Sequence, residues 1–133
     1  MKKMVYSENR KIELLDKGKC CGYKYYILNL GTHPTAYVEI PKTHKYYGKN
    51  YWNIDLPVHY GLTYASNSLN ISKKKEIKGW FLGWDYAHCE DYIGGMELYP
   101  VYLKKDMKKW TTEEIQEEVF NACKELERVA YEI

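Results

Sequence analysis

Four histidines, His33, His44, His59 and His88, are spread along the chain, and His88 lies three residues from both Asp85 and Asp91. Imidazole titrates near neutral pH, ligates metals and donates hydrogen bonds to anions. His59 and His88 brought together with Asp85 or Asp91 would therefore form a general acid/base pair or a metal site, and these four are the catalytic candidates. The His88-x-x-Asp91 spacing can put both side chains on one side of a helical turn. No paired-histidine helix or complete zinc-ligand set accompanies it, so neither a bound metal nor a cofactor is expected. Cys89 beside His88 is a poor nucleophile candidate, because adjacent side chains point differently and no oxyanion motif is present. Phosphate loops, dinucleotide fingerprints, nucleophile elbows and kinase signatures are absent as well.

The same residues have plainer roles. Asp85 can cap the turn after it, His88 can bond a backbone carbonyl, His59 can end a strand, and His33-Pro34 fits a hairpin turn.

The elements that must position them begin with Trp80 to Asp85, a strand-like run that stops at a cluster of titratable groups. Alternation puts Trp80, Leu82 and Trp84 on one face and Phe81, Gly83 and Asp85 on the other. Gly83 then leaves space beside Asp85, for a ligand or for a close approach of backbone. Tyr23 to Leu30 and Thr35 to Ile40 read as a hairpin about the Gly31-Thr32-His33-Pro34 turn. In its second strand Ala36, Val38 and Ile40 oppose Thr35, Tyr37 and Glu39.

Met1 to Lys19 fits either a strand or a short helix, with Gly18 as its stop. Lys42 to Pro57 has no period and reads as an ordered aromatic loop. Val58 to Ala65 is expected to be a strand, and Ser66 to Lys78 a solvent loop or hairpin connection whose charged run is its tip. Tyr86 to Tyr92 reads as a turn or short helix ended by Gly94-Gly95, and Leu98 to Leu103 as a short edge strand. From Thr111 a capping box with Glu114 opens a helix whose stripe is Ile115, Val119, Ala122, Leu126 and Val129. The expected fold is α+β: an antiparallel sheet of about four to six strands packed against a C-terminal amphipathic helix, with long ordered loops.

The 133 residues are expected to make a single domain, 1–133, able to bury a core without disulfides or metal. A net charge of +2 and short lysine clusters argue against a dedicated nucleic-acid binder. Fifteen tyrosines help to make the chain 16% aromatic, which suits sheet faces, oligomer interfaces and ligand-stacking walls alike. Those tyrosines and an edge strand admit a homo-oligomer. Cys20, Cys21, Cys89 and Cys123 show neither a C-x-x-C pair nor a disulfide framework, and read as free thiols of a reducing compartment. With no signal-peptide run and no membrane-length apolar stretch, a soluble cytoplasmic protein is expected.

Three segments, Gly31-Thr32-His33-Pro34-Thr35-Ala36-Tyr37-Val38, Val58-His59-Tyr60-Gly61-Leu62-Thr63-Tyr64 and Trp80-Phe81-Leu82-Gly83-Trp84-Asp85-Tyr86-Ala87-His88, resemble a family of small uncharacterised bacteriophage and prophage proteins. In that family the second segment usually reads His-Gly-Gly-Leu-Thr, with Tyr60 here in place of the first glycine. The third often reads Gly-Phe-Asp, with Trp84 here in the aromatic place. The matches leave His59, Asp85, His88 and Asp91 at the recurrent polar positions. No reaction comes with the resemblance. It implies, by analogy, a small protein that counters host defence in the host cytoplasm, by holding a nucleotide signal or a host protein.

The functional expectation is a non-enzymatic binder of a small polar or nucleotide-like ligand, with His33, His59, Thr63, Trp84, Asp85, His88 and Asp91 as binding residues. One alternative is a His/Asp-dependent hydrolase, metal-assisted or not. Another is a module that inhibits a host protein through the aromatic loop from His44 to Trp52.

Overall fold

The computed structural model describes residues 12–88, 91–93 and 107–132. Five strands, β1 (Glu13–Cys20), β2 (Tyr23–Asn29), β3 (Pro34–Ile40), β4 (Tyr64–Ser72) and β5 (Lys75–Asp85), form one antiparallel sheet in the order β1-β2-β3-β5-β4. The C-terminal helix α1 (Thr112–Ala130) packs against β1, β2 and β3, and a 3-10 turn at Tyr51–Asn53 lies in the connection from β3 to β4. The fold is α+β.

Period-two patterning places the core. Ile27, Ala36, Val38, Ile40, Leu82 and Trp84 face the helix and meet Ile115, Val119, Ala122, Cys123 and Leu126. Each large aliphatic buried there contributes about 1.5–3 kcal/mol. Burial drives the Cys123 thiol up to about 12, which makes it a packing residue. Leu28, Tyr37, Leu69, Ile71 and Phe81 form a second cluster on the opposite face. The sheet curls far enough to bring parts of its edges, β1 and β4, near one another. One hydrogen-bond junction ties sheet to helix: Asp16 accepts from the Tyr25 hydroxyl at 2.8 Å and from Gln116 Nε2 at 2.6 Å.

The helix opens where its capping box predicts. The Glu114 N–H donates to Thr111 Oγ1 at 3.3 Å, and the Thr111 N–H donates to Glu114 Oε1 at 3.0 Å. The Lys108 ammonium, 2.7 Å from the Glu114 carboxylate, does most to hold that carboxyl below its ordinary range. Thr111→Ala is expected to cost about 0.5–2 kcal/mol in urea unfolding, the usual loss of an N-cap acceptor.

Three sequence expectations are corrected here. Gly18 does not stop the first element: β1 runs on to Cys20, and the missing side chain leaves room for the Tyr25 ring opposite. The chain reverses instead at Cys21 and Gly22, both at positive φ, as two-residue hairpin turns require. Val58 to Ala65 is not a strand. Its first six residues form a turn with Tyr60 at φ 55° and Gly61 at φ 79°, and β4 starts only at Tyr64. Most of Ser66 to Lys78 is not a loop, because polar β4 pairs with β5 and only Lys73 and Lys74 make the tip. The Leu98 to Leu103 strand, the Gly94-Gly95 break and Cys89 lie outside the described residues.

The loop 41–63 is held chiefly by aliphatic side chains rather than by the aromatic ones expected over Lys42 to Pro57, of which Tyr47, Tyr51 and Trp52 are exposed. It sends Ile54, Leu56 and Leu62 into the helix-side core. His44 is buried too: its Nδ1 accepts from the Tyr46 N–H at 3.0 Å, so its Nε2 carries the proton and donates to the Leu126 carbonyl at 2.9 Å. Of the aromatic rings in the candidate contact surface from His44 to Trp52, Tyr47, Tyr51 and Trp52 remain exposed. Among the described residues no helix is long and apolar enough to cross a membrane.

Candidate functional site

The candidate residues gather at the end of the sheet where β2 turns into β3 and β5 stops. The register places Asp85, the last residue of β5, opposite Thr35, the second of β3. Tyr37 on β3 and Tyr64 on β4 both pair with Gly83. Their rings meet edge to face, with centroids 5.1 Å apart, over that glycine. A Cβ on Gly83 would run into the Tyr37 ring and reach 3.0 Å from the Ala36 carbonyl oxygen. The space expected beside Asp85 thus belongs to a tyrosine of the protein itself.

Beyond those rings lies a cleft of about 220 Å³ lined by Leu30, His33, Thr35, Tyr37, Thr63, Tyr64, Trp84 and Asp85. It opens on the sheet face away from the helix, the face that carries Thr35, Tyr37 and Asp85. Thr63 donates to Asp85 Oδ2 at 3.0 Å, and the Ala87 N–H donates to Asp85 Oδ1 at 3.2 Å, which is the turn-capping role that Asp85 allows. Thr35 is 3% exposed, and its hydroxyl stands by the Tyr37 phenol without a hydrogen bond in good geometry. Buried hydroxyls rarely go unpaired, so this one marks the cleft as incomplete.

Next to the cleft the remaining candidates form a second, internally satisfied cluster. Asp91, 3% exposed, accepts from His59 Nε2 at 2.7 Å, from the His88 N–H at 3.0 Å and from the Trp110 indole at 2.8 Å. His59 stacks on Tyr86 with centroids 4.9 Å apart. The Tyr86 hydroxyl accepts from the Trp84 indole at 2.9 Å and donates to Glu118 Oε1 at 2.6 Å, which also accepts the His59 N–H at 3.0 Å. Burial, then the Glu118 bond, drive the Tyr86 phenol far above its ordinary range and keep it a donor. This network knits the turn 58–63, the end of β5, the residues about Asp91 and the first half of α1 into one body.

His88 joins the two parts. Its Nε2 lies 3.1 Å from Asp85 Oδ1, out of line for a hydrogen bond, and its ring stacks on Tyr60 at 4.5 Å between centroids. Tyr60 keeps a positive φ of 55°, a conformation that glycine adopts freely and other residues rarely do.

The structure therefore brings His33, Thr63, Trp84 and Asp85 to the cleft, and His59 and Asp91 to the satisfied network with His88 between. Between Tyr86 and Tyr92 the described residues form a turn rather than a short helix; the Asp91 N–H donates to the His88 carbonyl. Sequence reasoning missed Thr35, Tyr37 and Tyr64 as walls, and Tyr86, Trp110 and Glu118 as network members. Glu118 alone carried a signal, as a carboxylate one turn past Ile115 beside the buried stripe. Among the described residues no group of three or more His, Cys, Asp or Glu side chains has metal-holding geometry.

Burial pulls His33 below its ordinary pKa, with His88 adding to this and Asp85 and Asp91 opposing it. Its neutral form is thus favoured by folding. The unfolded chain binds that proton more readily, so stability is complete above the unfolded value of 6.5 and falls as pH drops from 6.5 toward the folded pKa. Urea midpoints at pH 7 and pH 5 are expected to differ less in His33→Gln than in the native protein. An equal or larger difference would overturn this.

Comparison with protein-family models, curated proteins and solved structures finds no match to the chain.

Proposed function

We propose that the protein is a non-enzymatic binder that holds a small polar or nucleotide-like ligand in the cleft between the His33 turn, Thr63 and Asp85. The observation that carries this reading is the unpartnered, buried Thr35 hydroxyl in the wall of a 220 Å³ cleft that also holds the Asp85 carboxylate. A protein that keeps such a group unpaired loses stability, and a bound ligand would recover it. The resemblance of the three segments to phage and prophage proteins adds the purpose: sequestration against a host defence, in the host cytoplasm. Thermal-shift and calorimetric screening of nucleosides, nucleotides, cyclic nucleotides and small metabolites tests it. Binding that raises the unfolding temperature is expected, and silence across the panel from folded protein sinks it.

A hydrolase is the second reading, favoured by the 2.7 Å His59–Asp91 contact beside His88 and Asp85. With Nε2 donating to Asp91, a neutral His59 keeps Nδ1 as its basic nitrogen. Binding is preferred because Asp91 already accepts three hydrogen bonds from the protein, as a structural carboxylate does. Turnover of a phosphoester or amide substrate, abolished by His88→Ala and kept by Lys74→Ala, would reverse that preference.

A further inference from the structure

We infer that the cleft ligand is a small organic cation, a primary amine or guanidine on a compact apolar or aromatic body, seated with its charge against Asp85. This rests on the binding reading above and narrows it by charge, shape and size.

Charge comes first. Among the described residues Asp85 is the only acidic residue of the lining, and no lysine or arginine lines the cleft to balance it. His33, the imidazole of the lining, is kept toward its neutral form by burial. A phosphate or carboxylate would meet a carboxylate with no lining counter-charge, whereas an ammonium would meet its complement. Asp85 has capacity for it: an ionised carboxylate offers about four lone-pair sites, Thr63 and Ala87 take one hydrogen bond each, and His88 Nε2 stands 3.1 Å from Oδ1, which leaves the Oδ2 side open. The unpartnered Thr35 hydroxyl, across the strand pair from Asp85, supplies a second acceptor for an N–H donor.

The walls agree with the charge. Tyr37 and Tyr64 present aromatic surface, which attracts a cation and covers an apolar body equally well. Tyr64 is not free to act as a phosphate donor, since its hydroxyl donates to the Ser68 carbonyl.

Size excludes larger candidates. A cleft of 220 Å³ holds about seven water volumes at ~30 Å³ each, and it falls below the roughly 300–1,000 Å³ of pockets for drug-sized ligands. A molecule of about ten non-hydrogen atoms fills it, and a whole nucleotide would leave most of its surface in solvent.

Calorimetric titration of the full chain with tyramine and agmatine, against 4-ethylphenol, adenosine and AMP, tests the inference. Tyramine or agmatine is expected to bind at least about tenfold more tightly than 4-ethylphenol and AMP. Asp85→Asn should remove that preference, and Lys74→Ala at the β4–β5 tip should keep it. If Asp85→Asn does not fold, Thr35→Val carries the test. Its unfolding temperature should hold or rise, because an unpaired buried hydroxyl is gone, while amine affinity falls. Amine affinity unchanged in Thr35→Val would overturn the inference. Binding of adenosine or AMP without amine preference also overturns it and leaves the binding reading standing. Silence of every probe, together with silence in the wider screen, removes both.

Discussion

Asp91→Ala is expected to destabilise the protein by about 3–5 kcal/mol, the usual cost of removing one partner from a buried polar pair. The carboxylate is 3% exposed and receives His59 Nε2, the His88 N–H and the Trp110 indole. Alanine would strand three donors where water does not readily reach, and each unsatisfied buried group costs about 1–3 kcal/mol. Some relaxation will recover part of that sum. Asp91→Asn should fall between, because its carbonyl oxygen at the Oδ2 place can still accept from His59 and the His88 N–H while its NH2 group at the Oδ1 place cannot accept from Trp110. Urea unfolding gives the number, and a loss below about 1 kcal/mol would mean that the network does not hold the site together. The same variants separate the two functional readings. A structural Asp91 leaves ligand affinity intact in whatever fraction stays folded, whereas a catalytic Asp91 takes turnover with it.

Gly83→Ala is expected to cost about 1–3 kcal/mol, the penalty of forcing extra volume into a packed region. The sign is worth deciding, because alanine in place of glycine within a strand ordinarily gains about 0.5–1 kcal/mol. Here the added methyl would meet the Tyr37 ring on one side and the Ala36 carbonyl at 3.0 Å on the other. Tyr37 is 6% exposed and held against Tyr64, so it has little room to retreat. The overlap therefore outweighs the propensity. Adding Tyr37→Leu to Gly83→Ala should recover part of the loss, and the cycle of single and double variants measures how much of it is that one contact. Additive losses would show that the clash lies elsewhere. Because Tyr37 is also a wall of the cleft, Gly83→Ala should weaken ligand binding as well.

What was legible in the sequence was local. Alternation in Trp80 to Asp85 and in Thr35 to Ile40 sorted side chains onto the two faces that the sheet in fact has, because the pleat acts over neighbouring residues. The capping box and the apolar stripe from Ile115 to Val129 placed α1, since both signals span a few helical turns. The capping role of Asp85 could be read as well, because the bond it makes to Ala87 reaches only two residues on.

What failed was decided by partners far along the chain. Ser66 to Ser72 lacks the composition of a strand, yet it becomes one because β5 offers an edge to pair with and because Leu69 and Ile71 have a second core to enter. Gly18 reads as a stop until Tyr25 is laid across it. Val58 to Ala65 looks extended until the left-handed pair Tyr60 and Gly61 bends it so that His59 can meet Asp91 and Glu118.

The site divides along the same line. The sequence alone identified the fold class and nominated His33, His59, Thr63, Trp84, Asp85, His88 and Asp91. Only the tertiary structure separated them into a cleft with an unpaired hydroxyl and a network with its acceptors occupied. Which lone pair remains open depends on the Trp110 donor and the Glu118 acceptor brought in through space, and a one-dimensional pattern does not encode that distance.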